Sequence, residues 1–262
     1  MTIALFAAAC GQGQGAKPAA PAAGASPPSQ PPAFTPVVEP TANNAAMVQA
    51  FMGAFPGPPP FTIGYPAAAD GSTMDHSLQF TPSALIDLSP TVVALVSKGE
   101  GTNTNYTCEA CAGAVSIDYL QRGPQGFTSH LGHWDLKAGA ANEGVTTPWT
   151  LRNDIDTVPV LVFVDVEGEQ GCTSTMDSFV ELTPAGAKDA GSAIINSGLQ
   201  AQDGVVSPGD YEYSGALSVL VKGQSLAVDY TGSASQRVVF SKGADGKFEL
   251  PEDAPQSFPP VC

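Results

Sequence analysis

The sequence predicts a mainly β protein: an antiparallel meander or sandwich-like domain with one short N-terminal helix, preceded by a disordered Pro/Ala tether. Composition supports this fold class, because the 262 residues include 28 glycines and 24 prolines while only 13% are charged. Such a chain favours turns and short strands over long charged helices. The hydrophobic pattern beyond residue 60 agrees, since apolar and polar residues alternate with a period of two.

The clearest alternation lies near the C-terminus, where it predicts a four-stranded antiparallel meander. The turns in this meander are Lys222-Gly223 and Asp245-Gly246, the second being a strong hairpin signal. A near-continuous apolar run over 158–166 predicts an interior strand, and we expect nine to eleven strands in all. Residues 185–205 fit a helix over Ala190 to Ile195 or an irregular connection equally well, and a split into two lobes near residue 205 is possible.

One helix is predicted over residues 44–55. Met47, Phe51 and Phe55 recur at four-residue spacing, and Pro56 follows the last of them. This spacing is more typical of a helix that packs on a domain than of a cofactor site.

Residues 10–44 are rich in proline, alanine and glycine, so they bury too little apolar surface to offset chain entropy and are expected to form a disordered linker. The residues before it, Phe6-Ala7-Ala8-Ala9-Cys10, resemble the bacterial lipobox, in which a peptidase cuts ahead of the cysteine and its thiol carries lipid. Residues 1–9 are shorter than a full signal peptide and lack a basic residue, as expected if the start codon is assigned too late.

The lipobox resemblance implies a lipoprotein held by acyl chains such as palmitate on Cys10, which makes the membrane its first partner. Gly11 follows the cysteine, which favours the outer membrane, facing the periplasm, in a Gram-negative host. The alternative is a free Cys10 thiol in a disordered N-terminus.

Four cysteines remain once Cys10 is set aside, an even number that suits disulfides in an oxidising compartment. Three pairings are possible. We favour Cys108–Cys111 with Cys172–Cys262, which would fasten the C-terminal tail to the sheet, and the chief rival pairs Cys111 with Cys172. A redox role for Cys108-Glu-Ala-Cys111 is disfavoured, because no helical pattern follows the motif.

Metal sites are weakly indicated. Cys108, Cys111, His130 and His133 form a formal Cys2His2 set, but the two histidines are closer in sequence than zinc sites usually require, and their odd spacing puts them on opposite faces of a strand. The acidic stretches 154–156 and 165–169 do not follow calcium-loop spacing and are expected to form solvated strand faces. No metal or other cofactor is therefore predicted.

Function is narrowed mainly by exclusion. A net charge of −15 with only ten lysines and arginines argues against nucleic-acid binding. Gly-x-Ser-x-Gly, His-Glu-x-x-His, phosphate-loop and dinucleotide motifs are all missing from the sequence. His76 beside Asp75 is the one suggestive acid–base pair, and it is expected to be a surface feature. A pair of carboxylates acting on glycans would leave no sequence signature.

The segment from Tyr106 to Ala114, with its Cys-x-x-Cys-x-Gly pattern, and the later Gly171-Cys172 and Phe179–Leu182 resemble a loosely defined set of exported bacterial proteins and lipoproteins. The resemblance covers roughly residues 80–250. It implies an envelope location and a β-rich domain, and it implies no activity.

We therefore expect a single β-rich domain over 45–262 that binds an envelope protein, glycan or peptide, and we favour a non-enzymatic role over an enzymatic one. The alternatives are an envelope hydrolase that uses a carboxylate pair and, third, a metal-binding domain.

Overall fold

The structure is a computed structural model that describes residues 45–65, 76–101, 113–137, 148–169, 172–199 and 211–250. It is mainly β, as predicted. The described ranges hold one helix and thirteen strands, more than the nine to eleven expected. In chain order these are α1 (Ala45–Ala54), β1 (Phe61–Tyr65), β2 (His76–Asp87), β3 (Val92–Gly101), β4 (Ala114–Gly123), β5 (Gly126–Lys137), β6 (Trp149–Arg152), β7 (Val160–Glu169), β8 (Cys172–Thr183), β9 (Gly186–Leu199), β10 (Tyr211–Val221), β11 (Ser225–Gly232), β12 (Gln236–Lys242) and β13 (Phe248–Glu249).

The first five strands form an antiparallel sheet in the order β1-β2-β3-β4-β5, called here the meander sheet. Each strand pairs with its neighbour in sequence, so short connections suffice. The sheet is half of a barrel. Its centre is β3, in which residues 92–97 are all buried, because both faces of the sheet are covered.

Helix α1 covers the outer face of the meander sheet, as the four-residue spacing predicted. Met47 and Phe51 are buried against Leu95. The rings of Phe51 and Phe55 stack with centroids 4.4 Å apart, and Phe55 also stacks on Phe80 at 5.5 Å. Aromatic contacts therefore fix the position of the helix on the sheet.

The last eight strands form a second sheet, called here the barrel sheet, in the order β10-β11-β12-β13-β9-β8-β7-β6. Strand β9 also pairs with β10, which closes part of this sheet into a barrel. The predicted C-terminal meander is confirmed, since β10 to β13 pair antiparallel in sequence order. Strands from both sides of residue 205 share this sheet.

Residues 186–199 form a 14-residue strand, β9, so a helix or irregular connection was the wrong expectation there. Two register shifts between β8 and β9 explain the error. Each inserts an extra residue and interrupts the period-two alternation from which a strand is recognised. The buried positions Ala190 and Ala193 are therefore three residues apart instead of two.

The two sheets pack against each other through β7 and β8. Leu161 and Phe163 of β7 contact the meander sheet, whereas Val160 and Val162 lie in the core of the barrel. Burial on both faces explains the apolar run over 158–166 and confirms the predicted interior strand. In the described part of the chain, no helix is long and apolar enough to cross a membrane.

Candidate functional site

A polar cleft crosses strands β8, β9 and β10 and is called here the β8–β10 cleft. Its volume is about 320 Å³, near the lower end of the roughly 300–1,000 Å³ typical of ligand pockets. It is partly open to solvent. Most of its lining carries hydroxyl or amide groups, and the lining residues are Thr173, Thr175, Asn196, Ser197, Gly198, Glu212, Tyr213 and Ser214.

The strand register explains how these side chains meet. Gly198 of β9 lies opposite Thr173 of β8 and opposite Glu212 of β10. One step along the cleft, Asn196 lies between Thr175 and Ser214 in the same way. Directly opposed residues share a face and lie about 4.5–5.5 Å apart, so two rows of polar side chains run across three strands.

Gly198 leaves space in the middle of the first row. A Cβ atom at this position would meet nothing closer than the Tyr211 carbonyl oxygen, at 3.6 Å, which is an ordinary contact. The hollow between Thr173 and Glu212 therefore comes from a missing side chain, and a larger residue would fill it without straining the backbone.

Tyrosines on the opposite face of β10 from the two rows contact the strands that carry the cleft. The rings of Tyr211 and Tyr213 lie 5.8 Å apart, and the Tyr211 hydroxyl lies 3.4 Å from the sulfur of Cys172. Nearby, Tyr230 donates a hydrogen bond from its hydroxyl to the backbone carbonyl of Ile194, and burial raises its pKa to about 12. These contacts hold β9 between β8 and β10.

The cleft holds one charged side chain, Glu212. The backbone of Glu212 is clamped by Ser233, whose hydroxyl accepts from the Glu212 N–H at 2.9 Å and whose N–H donates to the Glu212 carbonyl at 2.8 Å. The side chain itself is exposed. The cleft can therefore offer hydroxyl, amide and carboxylate groups to a ligand from a fixed backbone.

A second polar group lies inside the barrel, where Lys242 donates hydrogen bonds to both Asp156 and Glu181. The two carboxylate side chains are only 6% and 7% exposed. Burial opposes ionisation of Asp156, but hydrogen bonds from Lys242 and Thr157 outweigh it and lower the pKa. Burial raises the pKa of Glu181, and the charge of Asp156 adds to this. The pKa values of Asp156 and Glu181 are thus shifted in opposite directions.

This group is the carboxylate pair that a hydrolase hypothesis requires, with the Phe248 ring 5.5 Å from the Lys242 ammonium. Its geometry suits a structural role better. Lys242 already donates hydrogen bonds to both carboxyl groups. Because both groups are also buried, neither is presented to a substrate. Removing the cation from such a group would leave buried charge uncompensated.

The cysteines and histidines singled out from sequence are mostly not described. Cys10, Cys108, Cys111 and Cys262 lie outside the described residues, as does Asp75. Cys172 begins β8 and is disulfide-bonded, but no disulfide has both halves among the described residues, so every predicted pairing stays a prediction. The side chain of His130 is exposed on β5. The side chains of His76 and His133 lie outside what is described.

The acidic stretch 154–156 does not form a solvated strand face, so that expectation was wrong. These residues lie between β6 and β7. Asp154 bonds Arg152 through two contacts of 2.7 Å, while Asp156 points inward to Lys242. In the stretch 165–169, Asp165 accepts a hydrogen bond from Ser178 at 2.9 Å. The part of the chain that is described contains no group of three or more His, Cys, Asp or Glu residues suited to a metal ion.

Sequence reasoning missed both the cleft and the buried ion group. The cleft residues are ordinary strand polar residues that become neighbours only through the register of β8, β9 and β10. Lys242 and Asp156 of the ion group are 86 residues apart in the sequence. No rule based on residue spacing detects a pair at that separation. Comparison with known proteins adds no relative: no protein-family model, curated protein or solved structure matches the chain.

The ion group makes a pH-dependent prediction. Lys242→Met leaves two buried carboxyl groups without a cation, so we expect the free energy of unfolding at pH 7 to fall by about 3–5 kcal/mol. Those groups then bind protons more tightly when folded, so the variant gains stability as the pH falls from about 7 to 4. Urea denaturation across this range measures the effect.

The wild-type profile should be flatter over that range. The contribution of Asp156, whose pKa is lowered, is lost as the pH falls, whereas that of Glu181, whose pKa is raised, is lost as the pH rises. Lys222→Met, on an exposed turn, is the matched control and should cost less than about 0.5 kcal/mol. Equal losses in the two variants, or a loss in Lys242→Met that does not change with pH, would contradict a buried ion group.

Proposed function

We propose that this chain is a lipid-anchored envelope lipoprotein whose β domain is a non-enzymatic binding module, and that it binds a glycan in the β8–β10 cleft. The observation that carries the binding proposal is the cleft lining, in which hydroxyl and amide side chains on three paired strands surround the space left by Gly198. The lipid anchor rests on the lipobox-like residues before Cys10.

The chemistry of the lining selects the ligand class. An apolar ligand would remove water from the hydroxyl and amide groups. Because it offers no hydrogen bonds in place of those lost to water, its binding there would be costly. An anionic ligand would be repelled by Glu212 and by the net charge of −15. A glycan offers many hydroxyl groups that both donate and accept, which matches Thr173, Asn196 and Ser214.

The strand pairing favours a glycan over an extended peptide. Peptides that add to a sheet use the free backbone groups of an edge strand. At the cleft, β9 is paired on both sides, with β8 and with β10, so its backbone groups are already used in the ladders. Recognition there must come from side chains, as it does for hydroxyl-rich ligands.

The predicted linker over 10–44 would connect the lipid anchor to the β domain. A proline-rich linker extends by about 3.1 Å per residue where it adopts polyproline II geometry. A linker over 10–44 would hold the β domain away from the membrane surface, where it can reach glycans of the envelope. Two or more acyl chains at Cys10 would hold it there stably, since one chain binds only marginally.

Filling the cleft tests the binding proposal. Gly198→Leu should abolish glycan binding on a glycan microarray, because the new side chain occupies the hollow between the two rows. Gly198→Ala is the matched control: it adds only one carbon, in ordinary contact with the Tyr211 carbonyl oxygen, and should retain binding within a few-fold. Circular dichroism and thermal denaturation check that both variants fold. Failure of the wild type to bind any glycan, or unchanged binding by folded Gly198→Leu, would overturn the proposal.

Mass spectrometry of the protein purified from bacterial membranes tests the anchor. We expect a mature chain that begins at Cys10 and carries acyl groups on it. Cys10→Ser should remove the acyl mass and move the protein from the membrane fraction to the aqueous fraction, because the thiol is the attachment point. An unacylated chain with a free Cys10 thiol would rule the anchor out.

A further inference from the structure

The carboxylate of Glu212 is the one charged group among the residues that line the cleft. Six described lysine and arginine side chains donate to carboxylates, namely Lys98, Arg122, Arg152, Arg237, Lys242 and Lys247. In the same described ranges, no hydrogen bond or ion pair is found for the Glu212 carboxylate. Within the described ranges, Glu212 is thus a strand carboxylate without a lysine or arginine partner, and it lies in the cleft.

The position of Glu212 is fixed by its backbone. Ser233 bonds both the N–H and the carbonyl of Glu212. Gly232, the residue before Ser233, has a φ of 119°, and a Cβ atom on Gly232 would lie 2.1 Å from the Glu212 carbonyl oxygen. Only glycine permits so close a crossing of β11 and β10. The carboxylate therefore extends from a rigid point at one end of the first polar row.

The residues that line the cleft include no lysine or arginine, so none of them neutralises this carboxylate. In the strand register, Glu212 lies opposite Gly198, which has no side chain, and Thr173 lies on the far side of Gly198, on β8. A carboxylate only accepts hydrogen bonds, and a cationic donor adds Coulombic attraction to the hydrogen bond that it donates. The best ligand group for this end of the cleft is consequently an ammonium.

We propose that Glu212 is the specificity-determining residue of the β8–β10 cleft and that it selects a glycan bearing a primary amine, an amino sugar whose ammonium group bonds the Glu212 carboxylate. This inference rests on the proposed glycan-binding function and names its ligand class. The hydroxyl and amide side chains of Thr175, Asn196 and Ser214 bind the sugar hydroxyl groups, and Glu212 distinguishes the free amine from its acetylated form.

Two probes of equal length separate charge recognition from hydroxyl recognition: the tetramer of glucosamine and the tetramer of N-acetylglucosamine. Isothermal titration calorimetry with the full chain, at a pH that keeps the amine protonated, should show at least tenfold tighter binding of the glucosamine tetramer. That preference should weaken as salt is raised, because part of it is an exposed ion pair.

Glu212→Gln keeps the shape of the side chain and removes its charge. We expect this variant to bind the glucosamine tetramer about tenfold more weakly and to bind the N-acetylglucosamine tetramer within twofold of the wild type. Glu249→Gln, which removes the same charge from exposed β13, is the matched control and should change neither affinity by more than twofold.

The outcomes distinguish the two proposals. Equal wild-type affinity for both tetramers, or an equal loss in Glu212→Gln and Glu249→Gln, overturns the role of Glu212 and leaves glycan binding standing. Absence of wild-type binding to both tetramers overturns the amino-sugar inference, and the glycan microarray then decides whether glycan binding fails with it.

Discussion

The barrel, and with it the cleft, depends on strand β9 being paired along both edges. Strand β8 covers one edge over most of its length, while the other edge is shared: β13 pairs near Gly191 and β10 pairs over 196–199. Where it pairs with β13, β9 passes through Gly191, whose φ is 91°. A Cβ atom on Gly191 would lie 2.7 Å from the Phe248 carbonyl oxygen. A residue with a side chain would be strained and crowded there.

This constraint explains where the cleft lies. Because the end of β9 lies between β8 and β10, polar side chains from three strands form rows instead of being scattered over a surface. The core beneath is well packed: Phe179 packs edge-on against Phe248 at 6.1 Å, and the ion group of Lys242, Asp156 and Glu181 joins β12, β8 and the segment before β7. A cleft on such a scaffold keeps its shape, which reduces the entropy lost when a ligand binds.

The sequence predicted the parts of the fold that obey a simple period. Helix α1 and the meander of β10–β13 follow the 3.6- and two-residue patterns, and the run over 158–166 reflects burial of β7 between two cores. Strand β9 was missed because its two register shifts break the alternation. The division into a meander sheet and a barrel sheet was not predicted either, since it depends on β9 pairing with three different strands.

Less of the candidate site could be predicted than of the fold. Cysteines and histidines attract attention in a sequence because their chemistry is distinctive, whereas Thr173, Asn196 and Glu212 resemble any exposed strand residues. Their significance comes from register, which is set by long-range pairing and by the missing side chain of Gly198. The carboxylate pair was considered only as a general possibility, and its residues, Asp156 and Glu181, were not identified because they are far apart in sequence.

The most direct test of the account is to map ligand contacts on the full chain by ¹H–¹⁵N NMR during titration with the glucosamine tetramer. Binding in the β8–β10 cleft predicts chemical-shift changes that saturate together and are concentrated at residues 172–175, 196–199 and 211–214, with the meander sheet unchanged. Shift changes concentrated on β1–β5, or spread evenly over the acidic surface, would contradict a binding site in the β8–β10 cleft.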